Sequence, residues 1–221
     1  SRREVRAMAK VQAALSQYFK DFKYVFYCML HPFKGFWELK HDKKARTAVS
    51  VTMYILLVLS QLISKQFTAY SFNELRLRPE AINIFSDIVV FALAIFLWCY
   101  SNWGITTLFN GEGSVKDVFH YTAYSLMPYV LFTLGLTVLS QIMTVDESSI
   151  YTFLTFLGTF WSAMLVYCGT MTTHQYGAMG TIFAIIVILF GMLLILFIGM
   201  LFFFLLQQIF GIIYTIYREL T

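Results

Sequence analysis

The sequence has little charge for its length. Only 13% of its 221 residues are Asp, Glu, Lys or Arg, whereas 59% are hydrophobic. A soluble domain has roughly 25% charged residues, so this chain has too few for a surface that faces water. The low charge excludes an ordinary soluble enzyme. Because the apolar residues form runs longer than ~18 residues, the sequence predicts an integral membrane protein.

Cysteine and proline are also scarce, with three of each. Cys99 and Cys168 lie in apolar runs and Cys28 lies in an aromatic segment, so buried thiols are expected and not a disulfide framework. Cys28-x-x-His31 is too small a ligand set to specify zinc, and no metal or other cofactor is predicted. The sequence lacks a nucleophile elbow, a phosphate-binding glycine loop and an HExxH motif. No catalytic or cofactor-binding residue is therefore predicted.

A long part of the chain has no charge at all, since no Asp, Glu, Lys or Arg occurs from Ser148 to Tyr217. Ion pumps and transporters keep ionisable groups in the membrane because charge passage requires them. The intramembrane polar candidates here are Asp87 and His120, at the starts of the second and third predicted spans. Each is close to an interface, where a solvated or capped group is the simpler interpretation. His174 is in a short uncharged connection and is expected at the surface.

The basic residues that are present cluster at the N-terminus. Residues 1–46 contain eleven Lys or Arg and four acidic residues, a net charge of +7, and the remaining 175 residues carry −3. This distribution predicts that the protein contacts an anionic lipid surface, and no nucleic acid is expected as a partner. By the positive-inside rule it also predicts that the N-terminus is in the cytoplasm. The cations expected to contact lipid or a partner are Lys34, Lys40, Lys43, Lys44 and Arg46.

An apolar stripe follows the first thirty residues, with members three and four residues apart, so they share one face of a helix. A membrane-surface helix packed on its own bundle is one interpretation, and a coiled-coil contact with a partner is the other. His31-Pro32 ends this helix because proline removes a backbone donor. A basic, aromatic juxtamembrane segment, 31–46, comes next. The stripe consists of Met8, Val11, Leu15, Tyr18, Phe22, Val25 and Met29, and its first five members are the candidate contacts.

Five apolar segments follow, each long enough to cross a ~30 Å hydrocarbon core at ~1.5 Å per residue. Pro128 is within the third and is expected to kink it. The last uncharged run is longer than one span requires, and we expect one long helix that leaves the lipid near Gln207. The predicted fold is an all-α integral membrane protein, a bundle of five transmembrane helices with an N-terminal amphipathic interfacial helix. The predicted spans are about 47–67, 84–109, 119–143, 150–171 and 181–206.

Polar and small residues mark turns and close helix contacts. The segment 110–114, NGEGS, is expected to be a turn, and Ser114-x-x-Asp117 has the spacing of a capping box, as does Ser71-x-x-Glu74. Small residues let helices approach closely in lipid, either inside the bundle or against a partner subunit. The sequence leaves these two alternatives open. The small residues are Gly158 and Ser162 in the fourth span, and Gly191 and Gly199 in the fifth.

The stretch 101–131, SNWGITTLFNGEGSVKDVFHYTAYSLMPYVL, resembles the core of the Yip domain of Ypt/Rab-interacting membrane proteins. In that family a tryptophan-bearing span end, a G-x-G turn and a tyrosine-to-proline motif follow in this order. The upstream HPFKGFWELK is similar to the motif before the first span of bacterial members. The matching residues, taken as structural, are Pro32, Trp37, Trp103, Gly111, Gly113, Tyr124 and Pro128.

The resemblance implies a five-span membrane protein with a cytoplasmic N-terminus and no known catalytic activity. Eukaryotic members of the family bind prenylated Rab-type GTPases in secretory traffic. This sequence lacks their DLYGP-type motif and is more similar to the bacterial branch, which implies the bacterial cell membrane.

Three hypotheses for function follow. The first is a non-enzymatic scaffold or accessory subunit of a membrane complex, with a transporter assembly as one candidate and other membrane-protein subunits as partners. The second is a permease or channel subunit with its own polar path, whose small-molecule substrate is unknown. The third is a membrane-trafficking or membrane-shaping adaptor like the eukaryotic Yip proteins.

Overall fold

The computed structural model describes residues 2–42, 44–69, 72 and 83–220. Five of the described helical segments are long and apolar enough to cross a membrane, which confirms the predicted all-α membrane fold. The helices are α1 (Arg2–Leu30), α2 (Pro32–His41), α3 (Thr47–Phe67), α4 (Ile84–Leu108), α5 (Val115–Ser125), α6 (Met127–Leu139), α7 (Ser148–His174) and α8 (Ala178–Leu220).

The helices α1 and α2 form a tight hairpin at the N-terminus. Pro32 occupies the first turn of α2, where its missing N–H costs no hydrogen bond. Gly35 lies against Cys28 so closely that a Cβ on Gly35 would be 2.8 Å from the Cα of Cys28. Burial raises the pKa of the Cys28 thiol to about 12. The sequence had indicated only a juxtamembrane segment here, whereas residues 32–41 are a helix packed on α1.

The apolar stripe of α1 packs on the bundle in its C-terminal half. Val25 is fully buried, and Tyr18 and Phe22 are half-buried against the core. The Tyr18 hydroxyl donates to Thr52 Oγ1 of α3 at 2.7 Å. Leu15 is exposed. The side chains of Met8 and Val11 lie outside the described residues, so the coiled-coil alternative stays a prediction for that half.

The third span bends as Pro128 predicts. It is divided into α5 and α6 at Leu126, and Pro128 lies in the first turn of α6. The backbone N–H of Tyr129 is diverted from the helix and donates to Ser162 Oγ of α7 at 2.9 Å. The span begins at Val115, earlier than predicted, because Ser114 and Asp117 form the complete capping box that starts α5. The other proposed box, at Ser71, lies outside the described residues.

Three of the four small residues serve packing inside the bundle. A Cβ on Gly158 would meet the side chain of Phe132 in α6, and one on Gly191 would be 2.7 Å from Ser101 Oγ in α4. Ser162 is buried and bonds to α6. Gly199 has no described neighbour within 4 Å of such a Cβ. Of these four small residues, only Gly199 remains a candidate for contact with a partner subunit.

The last helix, α8, is much longer than one span. It has 43 residues, a length of roughly 65 Å at ~1.5 Å per residue, against a hydrocarbon core of ~30 Å. This length confirms the expected single long helix, while its exit from the lipid near Gln207 stays a prediction. Thr181, Ala184 and Ile188 are buried against the bundle, but from Leu193 to Arg218 every side chain is exposed except one half-buried leucine, Leu206.

Candidate functional site

A cluster of polar side chains is buried where the start of α5, the end of α7 and the last turns of α4 meet. These side chains belong to three different helices, so the cluster ties together one end of the bundle. We call it the His174 cluster, and its members are Asn102, Gly113, Tyr121, Thr170 and His174.

The donor and the acceptor of each hydrogen bond in the His174 cluster can be assigned, starting at the histidine ring. The backbone N–H of Gly113 donates to His174 Nδ1 at 3.3 Å, so this nitrogen is unprotonated. His174 Nε2–H then donates to Asn102 Oδ1 at 2.9 Å. Asn102 Nδ2 donates in turn to the hydroxyl of Tyr121 at 2.9 Å. Four buried polar groups on four segments are thereby satisfied in sequence.

The chain of bonds ends on a backbone carbonyl. The hydroxyl of Tyr121, which accepts from Asn102, is 3.0 Å from Thr170 Oγ1 and donates to it. Thr170 Oγ1 donates to the carbonyl of Val166 at 2.8 Å. Because these donors and acceptors all have protein partners, the cluster avoids the cost of burying unpaired polar groups.

The buried position of His174 overturns the prediction of a surface histidine, because only 1% of this residue is exposed. α7 continues through His174, and Gln175 then turns the chain in the left-handed conformation at φ 58°. The next residue, Tyr176, stacks on the His174 ring and donates its hydroxyl to the carbonyl of Thr106 at 3.0 Å. The connection that appeared to be a surface loop therefore folds back over the bundle.

The two glycines of the G-x-G turn are needed for space. A Cβ on Gly113 would be 2.8 Å from His174 Nδ1, and one on Gly111 would meet both His174 and Tyr176. None of the glycines in the described residues has a positive φ, so backbone freedom is not the reason for glycine here. The turn fits against His174 because these two residues have no side chain.

Lys40 of α2 connects the juxtamembrane segment to this end of the bundle. Its ammonium group donates to the carbonyl of Thr173 at 2.8 Å and to Glu112 Oε2 at 3.3 Å. A cation is favourable at the last turn of α7, where helix carbonyls lack partners. The structure thus places Lys40, predicted to contact lipid or a partner, against its own bundle.

Other cations of the N-terminal segment also pair within the chain. Arg46 Nε is 2.8 Å from Asp21 Oδ2, which joins the start of α3 to α1. Lys44 Nζ is 2.5 Å from Glu38 Oε2, and this hydrogen bond lowers the pKa of the Glu38 carboxyl. Lys34 is 4.0 Å from Glu38 and its side chain is largely exposed. Lys43 lies outside the described residues.

The two intramembrane polar candidates have different surroundings. Asp87 is half-buried, and its Oδ1 accepts from Lys65 Nζ at 2.6 Å, so α3 and α4 are joined at the end away from the His174 cluster. His120 is buried, and its Nδ1 is hydrogen-bonded to Ser50 Oγ of α3 at 2.7 Å. The solvated interpretation was wrong for His120, because the early start of α5 moves this residue into the bundle.

The remaining motif residues do not form one site. Tyr124 and Pro128 are buried in the core beside the bend in the third span. Trp103 is 41% exposed and Trp37 is 48% exposed, the latter stacking on His41 at 4.5 Å between ring centroids. Pro32 starts α2. Only the two glycines of the motif touch the His174 cluster.

The arrangement holds helices in place, and its chemistry is that of satisfied hydrogen bonds. Within the described ranges, no three His, Cys, Asp or Glu residues are placed to hold a metal ion. Sequence reasoning missed Asn102, Tyr121 and Thr170. A usable signal existed, because an asparagine within an apolar span is costly unless another helix supplies its partners.

Comparison with known proteins gives one match. The family model described as the Yip1 domain matches residues 26–201, which includes α2 to α7 and the first half of α8. No curated protein and no solved structure matches the chain. The matched region contains all five candidate spans in whole or in part.

Proposed function

Since the chain belongs to the Yip1 domain family of membrane proteins, we propose that it is a non-enzymatic scaffold or accessory subunit of a membrane complex, a transporter assembly being the first candidate. The observation that carries this proposal is the apolar overhang of α8. We use that name for residues 206–217, which continue beyond the helices packed beside α8.

The extent of the overhang follows from one contact. Ser101 Oγ of α4 donates to the carbonyl of Ile188 in α8 at 2.9 Å, so these residues are level. α4 begins at Ile84, and two helices of equal rise would put that residue level with about Leu205. The overhang therefore reaches roughly 18 Å past the start of α4.

The composition of the overhang favours a protein partner. It contains no charged residue, and apart from the half-buried Leu206 its large apolar side chains are exposed, Ile209, Phe210 and Ile213 among them. A continuous exposed apolar surface that extends past the neighbouring helices is typical of an interaction site. Another membrane subunit would bury it at the level where the chain leaves the hydrocarbon region.

Photo-crosslinking in native membranes tests this proposal. A photoreactive amino acid at Ile213 should give a discrete protein adduct, while the same group at Phe160, an exposed residue of α7, serves as the lipid-facing control. Mild detergent extraction should then recover the adduct partner in fixed stoichiometry. A monodisperse monomer with no protein adduct at Ile213 would contradict the scaffold function.

The permease alternative is less supported because the buried polar side chains of the His174 cluster bond to each other. A transport path needs polar groups that exchange partners with a solute. We propose that the purified chain in liposomes conducts neither ions nor small polar solutes.

A further inference from the structure

A groove of about 770 Å³ separates α3 from α4 along the membrane-spanning part of the bundle. Its walls consist of exposed apolar side chains of α3 and α4, and these side chains face away from the bundle core. At one end α5 is wedged between the two helices through Phe119, whose ring is 4.8 Å from that of Tyr54. At the other end Lys65 and Asp87 tie α3 to α4. The wall residues include Val51, Ile55, Leu59, Ile88, Ala92 and Phe96.

The groove is open to the surroundings of the helices, which in a bilayer are acyl chains. It runs from Thr47 to Leu62 on α3, roughly 22 Å at ~1.5 Å per residue. That length exceeds the ~15 Å depth of one hydrocarbon leaflet, half of the ~30 Å core. The acyl chains of one leaflet therefore fit within the groove lengthwise.

The volume argues against a helix as the occupant. A helix is ~10–12 Å across with its side chains, so a length of ~22 Å would occupy on the order of 2,000 Å³. The groove offers about 770 Å³, within the range of small-ligand pockets, roughly 300–1,000 Å³. A helix of a second copy or of a partner would therefore not fit inside the groove, whereas an acyl chain is thin enough to lie along it.

The charge at one end of the groove favours lipids with one type of headgroup. Lys116 lines this end, is exposed, and forms no ion pair with another described residue. The adjacent carboxylate of Asp117 is occupied by the Ser114 cap. His120 lines the same end, with its Nδ1 bonded to Ser50. An apolar groove with a lysine at its interfacial end that makes no ion pair complements a lipid with an anionic headgroup.

We propose that the groove between α3 and α4 binds one anionic phospholipid, with its acyl chains along the groove and its phosphate at Lys116. The site holds the lipid on three sides, by α3, α4 and the start of α5, whereas a flat helix surface would hold it on one. This inference is independent of the scaffold function, because it concerns a different face from the α8 overhang.

Native mass spectrometry of the full chain in detergent tests the site, with phosphatidylglycerol and phosphatidylcholine of the same chain length as probes. We expect the first phosphatidylglycerol to bind more tightly than phosphatidylcholine. Lys116→Gln should weaken its binding about fivefold, the effect of one lysine near a lipid surface, and weaken phosphatidylcholine binding less, because the choline offsets the phosphate charge. Lys20→Gln, at an exposed lysine on α1, is the matched control.

A second variant tests the acyl part of the site. Ala92→Trp fills the groove and should abolish the first binding event, whereas Ala163→Trp, at an exposed alanine of α7, should retain it. If Ala92→Trp fails to fold, the comparison of Lys116→Gln with Lys20→Gln tests the lipid site by itself. Equal affinity for the two lipids, or equal binding by the two tryptophan variants, would overturn the proposal. A dimer that Ala92→Trp dissociates would also overturn it, since a second copy would then occupy the groove.

Discussion

Gly113 and His174 show how single residues fix one end of this bundle. The glycine supplies a backbone N–H to the histidine ring and, at the same time, the empty space in which that ring lies. Neither property is apparent from the residue types. A glycine before a helix is read as a turn, and a histidine after an apolar helix is read as a surface group.

Gly113→Ala should destabilise the fold. Its Cβ would lie 2.8 Å from His174 Nδ1, and relief of such crowding in a packed core costs roughly 1–3 kcal/mol. The free energy of unfolding, measured by denaturation in mixed detergent micelles, should fall by this amount. Gly104→Ala is the control, because a Cβ there has no neighbour within 4 Å and alanine favours a helix. Equal stability of the two variants would show that the turn moves freely away from His174.

The bond between His174 and Asn102 can be measured with a double-mutant cycle. Each single alanine variant leaves the partner unpaired, so the double variant should lose less than the sum of the two. We expect a coupling of about 0.6–1.7 kcal/mol, the range for hydrogen bonds between helices in membranes. His41→Ala combined with Asn102→Ala should be additive, because His41 is exposed on α2. A His174–Asn102 coupling near zero would contradict a stabilising hydrogen bond between these two side chains.

At the scale of elements, the bend between α5 and α6 is stabilised from outside its own helix. Pro128 interrupts the helix, and Ser162 of α7 accepts the N–H of Tyr129 that the bend frees. The neighbouring Gly158 brings α7 close enough for this contact by admitting Phe132. The kink and the small residues of the next span are therefore one structural feature.

Ser162→Ala should leave the Tyr129 N–H unpaired and lower the free energy of unfolding by roughly 1–2 kcal/mol. Ser149→Ala, at an exposed serine in the first turn of α7, is the control and should have little effect. Hydrogen exchange at Tyr129 should also become faster in Ser162→Ala. Unchanged exchange would mean that the freed N–H has another acceptor.

At the scale of the whole molecule, charge and packing are combined in the N-terminal segment. The same cations that predict a cytoplasmic N-terminus also join α1, α2 and the end of α7 to the bundle. Their number matters for insertion into the membrane, whereas their partners matter for the folded state.

Replacing the juxtamembrane cations by Gln should reduce the fraction of chains that insert with the N-terminus in the cytoplasm, because the inside excess of positive charge is lost. Protease accessibility of an N-terminal tag in intact cells measures this fraction. Neutralising Lys65, Arg76 and Arg78, which the positive-inside rule predicts on the opposite side, is the control and should preserve the orientation. An unchanged orientation in the first variant would show that another signal directs insertion. The five replaced residues are Lys34, Lys40, Lys43, Lys44 and Arg46.

Much of the fold was predictable because the membrane imposes a strong local constraint. Apolar runs such as 47–67 coincide with the observed helix α3, and Pro128 marks the bend. The capping box at Ser114 and Asp117 was also predicted correctly and begins α5, although the start of the third span was placed about four residues too late, at residue 119. The single long helix α8 was also predictable, because its uncharged sequence is longer than one bilayer requires and has too few turn signals for two helices.

The sequence by itself determined the class of protein, the five spans, the basic N-terminal helix and the motif that resembles the Yip domain. These properties depend on composition and local periodicity, which each segment carries alone. Only the tertiary structure decided the roles of His174, Asn102 and Lys40. A polar side chain acquires its role from the groups that other helices place within about 3 Å of it, and residues such as Asn102 and His174, 72 positions apart, meet only after the bundle has formed.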